Sequence, residues 1–597
     1  MTTTMSLAEA DRTLTSPGQM FEMETVEIRG IPTRVWKHAP GSLRDVLELS
    51  RAHGNKAYLV YEDERTTFEE HYRIVASLAH SLEERFGVGK GERVTIAMRN
   101  LPEWAMGFWA AAVSGAVVVP LNAWWTGSEL EYGLADSGTS VAFVDEGRFE
   151  RLLPHLADLP DLRGVVVTTE DRSAFRPPNN PPVPVVSFAE MVGEPGPDTA
   201  LPARSLDPED DATIFYTSGT TGRPKGAVGT QRNMCTNLMS LFFINSRQSL
   251  RGASGMGDAP PGADQSAYLL SVPLFHATGC HSILVANTAA GNKLVMMHHW
   301  DPERALELIE RERITTFGGV PAMVMQVIDS PDFAGRDTSS VRAVAYGGAP
   351  APPELVRRIK EHFPVSAPSN GYGLTETSSV TTMNSGDDYV RKPDSVGPAV
   401  PVCDVRVVPE GFEGAEPDDD LPSGPEVTGE LWIKGPNVVR CYWNKPEATD
   451  ATFTEGWLHS GDVARIDEEG FVYIVDRAKD MVIRGGENVY SVEVEAALFE
   501  HPAVSDCAVI GVPHEVLGEE VGAAVVMRPG TRVTAEELAR HVRDRLAGFK
   551  VPTHIWFRSE PLPRNPQGKV LKRELRSSLL GTGDEGAGAE PTAGELG

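Results

Sequence analysis

Apolar residues recur at three- and four-residue spacing between Glu69 and Gly87. Val75, Leu78, Ala79, Leu82 and Phe86 share one face, which predicts an amphipathic helix with Gly87 placed to cap it. The pattern then changes to short β-branched runs, VTIAM at 94–98, AVVVPL at 116–121 and VAFVDE at 141–146. Strands alternating with helical stretches predict parallel sheets covered by helices. A further helix is expected to open at Asp301 as cap and Pro302 in the first turn, continuing through ERALELIERER. After about residue 476 the pattern becomes a smaller α+β unit. It has a helix near 491–500, strands CAVIGVP and VGAAVVM, and a helix at 535–547 behind the capping pair Thr534/Glu537.

Breaks in the pattern divide the chain into one large α/β body and one small C-terminal domain. The Pro- and acid-rich stretch 194–212 and the Gly/Pro/Asp-rich stretch 409–429 read as exposed connections, the second followed by the strand-like GELWIKG. The most apolar stretch, WAMGFWAAAVSGAVVVPL at 104–121, is divided by Gly115 into a small-residue helix and a β-branched strand closed by Pro120. That reads as a buried helix-to-strand passage, not a membrane span. From Leu580 the tail GTGDEGAGAEPTAGELG offers nothing to pack and is expected to be unstructured.

Charge narrows the range of partners. The 597 residues carry 55 Lys and Arg against 84 Asp and Glu, a net −29, which argues against holding nucleic acid by the overall field. An anionic substrate would need a local positive site. The five cysteines are widely spaced, odd in number and form no CxxC, and the N-terminus MTTTMSLAEADRTL has no signal-peptide pattern. Reduced thiols and a cytoplasmic location are the expectation.

The most informative segment is YTSGTTGRPKG, 216–226. Thr217, Ser218, Thr220 and Thr221 place hydroxyls among Gly219, Gly222 and Gly226, and Lys225 stands close behind. Small residues admit phosphate oxygens to backbone N–H groups, hydroxyls donate further bonds, and lysine adds charge. The spacing is not that of a Walker A loop, because Pro224 precedes Lys225 and Gly226 follows it.

Here the chain resembles the adenylate-forming superfamily of acyl-CoA synthetases, peptide-synthetase adenylation domains and luciferase. Matching segments follow in order: LFHATG at 274–279, YGGAP at 346–350, YGLTE at 372–376, TGELWIKGP at 428–436, WLHSGD at 457–462, DRAKDMVIRGGENVYSVEVE at 476–495 and PRNPQGKVLKREL at 563–575. The resemblance covers roughly residues 45–576. It implies an α/β fold, with a large N-terminal domain of stacked sheets, flanking helices and a small β-barrel subdomain, plus a small mobile α+β C-terminal domain. The expected division is an extension at 1–44, the ATP and acid domain at 45–476, the mobile domain at 477–579 and a tail at 580–597.

The resemblance also implies chemistry. A carboxylate attacks the α-phosphate of ATP, and a thiol then attacks the acyl-AMP; the first step sets anion against anion and needs cations. Glu376 is implied as a Mg2+ ligand with Thr220, and Thr375 as a phosphate contact. Thr217, Ser218, Gly219, Thr221, Gly222 and Lys225 are implied around phosphate. Gly347, Gly348, Ala349 and Tyr372 are implied against adenine, Asp462 and Arg477 at the ribose, and Gly371, Gly373 and Ile474 among the ATP- and AMP-binding residues. Lys569 would be the catalytic lysine and Lys479 the hinge, while Arg484, Gly485, Gly486 and Glu487 would meet CoA. His276 would stand at the wall between acid pocket and CoA channel; the nearby His281, His298 and His299 match no zinc spacing.

A carrier domain is not expected to follow the tail, and SVPLFHATG lacks the Asp that would hold an amino-acid ammonium. Coenzyme A is therefore the expected thiol, with a carrier protein as the alternative. The implied acid pocket, Gly279, Cys280, Gly318, Gly319, Val320, Val324 and Leu374, is apolar and glycine-rich. It suits a medium- or long-chain fatty acid, with aryl, alicyclic or steroid side-chain acids left open. A monomer or homodimer, working on small molecules alone, completes the expectation.

Overall fold

A computed structural model describes residues 5–169, 180–217, 223–252, 265–349, 351–409, 411–412, 414–417, 421–422, 424–477, 479–485, 487–565 and 568–581. The expected tail beyond Gly581 lies outside the described residues.

Two eight-stranded sheets form the large body. In the first, the order in space is Cys441–Tyr442, Lys225–Thr230, Asp211–Thr217, Val117–Pro120, Arg93–Ala97, Thr139–Asp145, Gly164–Thr168 and Val185–Ser187. The last six run parallel, and the Lys225–Thr230 strand returns antiparallel on Asp211–Thr217. In the second, Thr382–Ser385, Ala367–Tyr372, Ala343–Gly347, Thr316–Gly319, Ala267–Leu270, Lys293–Met296, Ala57–Tyr61 and Glu64–Thr67 lie side by side. Its interior strands are parallel and an antiparallel strand closes each edge.

The periodic segments fold as their patterns predict. The helix Phe68–Phe86 starts on a Thr67/Glu70 capping box and stops at Gly87, whose φ of 64° is the left-handed conformation glycine adopts freely. The helix Pro302–Arg311 is capped by Asp301. All twelve residues of the helix Pro102–Val113 are buried between the sheets, and the chain turns at Gly115 (φ 76°) into the strand Val117–Pro120. A Cβ at Gly115 would stand 2.8 Å from Leu206 Cδ2, so the passage needs glycine twice over. No helix among the described residues is long and apolar enough to cross a membrane.

A third, antiparallel sheet carries Asp404–Val408, Gly429–Lys434, Trp457–Ile466, Phe453–Thr454 and Val472–Arg477. The small C-terminal unit has its own core. Val482, Val494, Leu498, Val509, Val521, Val525, Leu538 and Val542 are buried between its sheet and two of its helices, Ser491–Phe499 and Ala535–Arg543. The second of these stops short of the expected residue 547, where the Arg545 amide makes the tighter three-residue bond to the Val542 carbonyl. At the other end of the chain, Phe21 and Trp36 pack on Phe243, and Trp36 Nε1 donates to Ser240 Oγ at 3.1 Å, fastening the N-terminal residues to the helix Gln231–Leu250.

Candidate active site

The sheets place the glycines first. Gly347 and Gly371 are register partners at the carboxyl ends of adjacent parallel strands, where open α/β sheets receive ligands. A Cβ on Gly347 would stand 2.4 Å from the Gly371 carbonyl oxygen, and one on Gly373 would overlap the Ser379 carbonyl. Neither position admits a side chain, so backbone is presented here. Gly348 is exposed beside Ala349. Tyr372 closes the Ala367–Tyr372 strand, and Thr375 and Glu376 follow in a short 3-10 turn, both half-buried. Behind that turn Ser378 (φ 51°) and Ser379 (φ 95°) hold left-handed conformations costly for residues with a side chain. They are held by His281 Nδ1, which donates to the Ser378 carbonyl at 3.0 Å, and by a 2.7 Å bond between Ser282 and Ser379 hydroxyls.

The expected phosphate loop joins two paired strands, with Thr217 opposite Lys225. Ser218, Gly219, Thr220, Thr221 and Gly222 lie outside the described residues. Both stalks of the loop are braced by one helix. Tyr216 donates to Asp136 Oδ2 at 2.7 Å and Tyr132 donates to the Pro224 carbonyl at 2.9 Å. Lys445 pairs with the other Asp136 oxygen at 3.0 Å.

Asp462 is 2% exposed and faces Arg477 across the third sheet. Its Oδ1 pairs with Arg477 Nε at 3.0 Å and its Oδ2 accepts from Tyr372 OH at 2.7 Å. The strand register thus joins three of the expected nucleotide residues, with Ile474 in the same strand as Arg477. Burial and the neighbouring Asp462 push the Tyr372 phenol well above its ordinary pKa, so it stays a donor.

Lys569 arrives from the small unit. Its loop closes on itself: Asn565 N donates to the Lys569 carbonyl and Lys569 N to Asn565 Oδ1, each at 2.9 Å. Arg564 then fixes the loop to Asp506 through two 2.7 Å bonds. Gly568 (φ 78°) lies so near the large body that a Cβ would stand 2.5 Å from Val320 Cγ2. Burial, then the positive Arg477, bring the Lys569 ammonium down to about 8, with Asp480 and Asp462 opposing that shift. A second bridge between the units joins Arg528 to Asp329 at 3.0 Å.

The remaining expectations are placed as follows. Lys479 is exposed in the turn where the Asp480 and Met481 amides return to the Arg477 carbonyl. Arg484 reaches Glu520 at 3.8 Å and Gly485 N donates to the Leu517 carbonyl, both inside the small unit; Glu487 is exposed and Gly486 lies outside the described residues. His276 is held neutral by burial, which lowers it to about 3, and its ring lies 4.6 Å from Phe275. Gly319 (φ 137°) leaves no room for a Cβ beside Met323 Sδ and Ser271 Oγ, while a Cβ on Gly318 would overlap the Ala345 carbonyl and one on Gly279 would stand 2.2 Å from the Pro273 carbonyl oxygen. Val320 is 5% exposed at the start of the helix Pro321–Asp329.

Cys280 and Val324 are each buried in a hydrophobic core, Cys280 in the same one as Val320. Val324 sits one helical turn past Val320 and belongs to the same buried core as Phe317 and Leu355. Leu374 packs against the core of the third sheet.

Residues 48–443 match the AMP-binding enzyme family, and residues 493–569 match the AMP-binding enzyme C-terminal domain. The chain belongs to this family. It is 36% identical over 510 residues to a feruloyl-CoA synthase of an Amycolatopsis species, covering 85% of this chain and 93% of that protein. It is 32% identical over 539 residues to a long-chain-fatty-acid–CoA ligase of Bacillus subtilis, covering 87% and 91%. Among solved structures, an anthranilate CoA ligase in complex with anthranoyl-AMP superposes with a TM-score of 0.78 at 26% identity, covering 91% of this chain and 98% of that one. The o-succinylbenzoate CoA synthetase of Bacillus subtilis, bound to its acyl-adenylate, gives 0.72 at 27%, covering 90% and 98%. This family member is an AMP-forming acid–CoA ligase that proceeds through an acyl-adenylate, with ATP, Mg2+ and coenzyme A. Glu376 fits the metal: a half-buried carboxylate offers the hard oxygen that Mg2+ prefers.

Sequence patterns passed over Asp136 and Tyr442 as partners of the site. Each touches it from an element far away in the chain.

Proposed function

We propose that the enzyme activates a hydrophobic monocarboxylic acid, foremost a medium- or long-chain fatty acid, and transfers it to coenzyme A. The observation that supports this best is the Lys569 loop docked with Gly568 against Val320, a side chain in the expected acid pocket. A lysine there meets both the acid and the nucleotide end marked by Asp462 and Arg477. An acid oxygen attacks the α-phosphorus while its bond to pyrophosphate breaks, and the Lys569 ammonium offsets the charge gathering between them. Mg2+, when bound, neutralises phosphate charge, and Glu376 would hold it. Asp462 and Arg477 receive the ribose, and the glycine ends of the two parallel strands admit the adenine.

In the second half-reaction the thiol sulfur attacks the acyl carbon and AMP leaves. Rotation about Lys479 withdraws Lys569 and brings the Arg484–Glu487 turn forward. That turn has solvent-exposed neighbours, Ile483 and Val516, suited to closing on another surface. The expected acid residues Gly279, Gly318, Gly319 and Val320 carry no charge that would pair with a second carboxylate. A phenylpropanoid or other aryl acid is the second reading, favoured by the 36% identity to a feruloyl-CoA synthase.

Pyrophosphate release with ATP, Mg2+ and a panel of acids, with and without CoA, tests both. Turnover with C8–C18 fatty acids that requires CoA supports the first reading. Turnover confined to cinnamates or benzoates replaces the acid, and indifference to CoA replaces the acceptor.

A further inference from the structure

Tyr442 stands between the two charges that the nucleotide would bring together. Its hydroxyl donates to Glu376 Oε1 at 2.6 Å, and the Lys225 ammonium lies over its ring, 4.4 Å from the centroid. The residue is 5% exposed and packed against Ala227, Val439 and Phe453. Its strand is the outer edge of the first large sheet, whereas Glu376 follows a strand of the second. Backbone bonds fix the same segment to both sides: Val439 N donates to the Glu376 carbonyl at 2.9 Å and Trp443 N to the Gly226 carbonyl at 2.7 Å. Tyr442 is therefore held rigidly with one polar atom on the carboxylate and one aromatic face under the lysine.

The two contacts differ in kind. A phenolic O–H fixes one carboxylate oxygen and leaves the charge in place, and an aromatic face attracts an ammonium without neutralising it. Among the described residues no carboxylate lies within ion-pair distance of Lys225. Without the ring, a lysine and a glutamate facing one gap would pair, and each would be lost to its ligand.

We propose that Tyr442 is a positioning residue that keeps Lys225 and Glu376 apart and aimed, so that phosphate and divalent cation find both charges free. The proposal rests on the assignment of Glu376 to metal and Lys225 to phosphate made above. It separates into two parts, because Tyr442→Phe removes the tether to Glu376 and keeps the ring, whereas Tyr442→Leu removes both.

The test is equilibrium binding of an α,β-methylene ATP analogue to the full-length enzyme, titrated with Mg2+ and followed by calorimetry, with the melting temperature of each variant as the control for folding. Tyr442→Phe is expected to raise the Mg2+ concentration for half-saturation about tenfold, the loss of one hydrogen bond to a charged group, with metal-free affinity unchanged. Tyr442→Leu is expected to weaken the analogue about tenfold with or without Mg2+. In a Glu376→Gln background, Tyr442→Phe should add no further effect on Mg2+, which a merely structural role would not predict. Wild-type Mg2+ dependence in Tyr442→Phe, or an undiminished effect in the Glu376→Gln background, overturns the tether. Equal metal-free affinity in the Phe and Leu variants overturns the spacer. Should Tyr442→Leu fail to fold, Tyr442→His decides the second part, since an imidazole is a poorer platform for a cation. Nucleotide binding by the unaltered enzyme that ignores Mg2+ altogether would strike at the Glu376 assignment instead, and is read from the same titration.

Discussion

In the large body, Asp462 is 2% exposed and both of its oxygens are engaged by Tyr372 and Arg477, so its place is set by three strands. Lys569 reaches the same place from a loop whose own anchors, Asn565, Arg564 and Asp506, all belong to the small unit. Among the described residues the loop approaches the large body at Gly568 against Val320, and away from it the Arg528–Asp329 bridge and the bonds from Ser491 to Asp476 join the two units. The contrast teaches how a binding site can be rigid while the group that acts in it remains removable. The proposed nucleotide contacts are built into sheets, and the ammonium proposed to act on them is carried on a separately packed unit with its own core.

Removal of the carried group should have the largest effect. Lys569→Ala is expected to lower acid-dependent pyrophosphate exchange by about 100-fold or more, the scale of losing one charge-stabilising donor. CoA attack on supplied acyl-AMP should change little. Equal losses in the two half-reactions would mean that Lys569 is not confined to the first.

Gly568→Ala tests the docking itself. The new methyl meets Val320 Cγ2 at 2.5 Å and the backbone at φ 78° strains any side chain, so adenylation should fall about tenfold while the melting temperature of the small unit stays within a few degrees. Val320→Ala in the same chain should recover part of the loss. If it recovers none, the strain is local to the loop and the contact is incidental.

The ammonium of Lys569 is brought down to about 8 when docked. The docked arrangement therefore binds fewer protons than the undocked one between about pH 8 and the ordinary lysine value of about 10.4, and rising pH favours docking while removing the charge that acts. Adenylation is expected to decline through about pH 8, and the thioester step from supplied acyl-AMP should show no such decline. Arg477→Gln removes a nearby positive charge and should move the decline upward; a profile that does not move assigns the titration to another group.

Arg528→Ala should have the smallest effect. The bridge is partly exposed, with side chains 27% and 38% accessible, so it is worth less than about 1 kcal/mol, or up to about fivefold in the balance between docked and undocked states. Adenylation should slow and thioester formation should not, measured in separate half-reactions. A loss in both would make the bridge a general support of the fold.

Much of this was legible in the chain alone wherever a local rule applied. The helix Phe68–Phe86 and its Gly87 cap, the Asp301–Pro302 start and the Thr534/Glu537 capping box each depend on residues within four positions of one another. The motifs around Lys225, Glu376, Asp462 and Lys569 were readable because each is a dense local cluster of unusual residues. Val324 and Cys280 were harder to read, because an apolar residue near a motif looks alike whether it lines a pocket or fills a core; both are buried.

By itself the sequence determined where the chain is helical and where it must turn at glycine, because these follow from contacts between near neighbours, and it marked the charged and hydroxyl side chains proposed for the chemistry. The tertiary structure decided that Tyr442 would stand between Lys225 and Glu376, that Asp136 and Tyr132 of one helix would brace the two stalks of one loop, and that Gly568 would meet Val320. Those partners are separated by tens to hundreds of residues, and no periodicity records a distance that exists only once the sheets have formed.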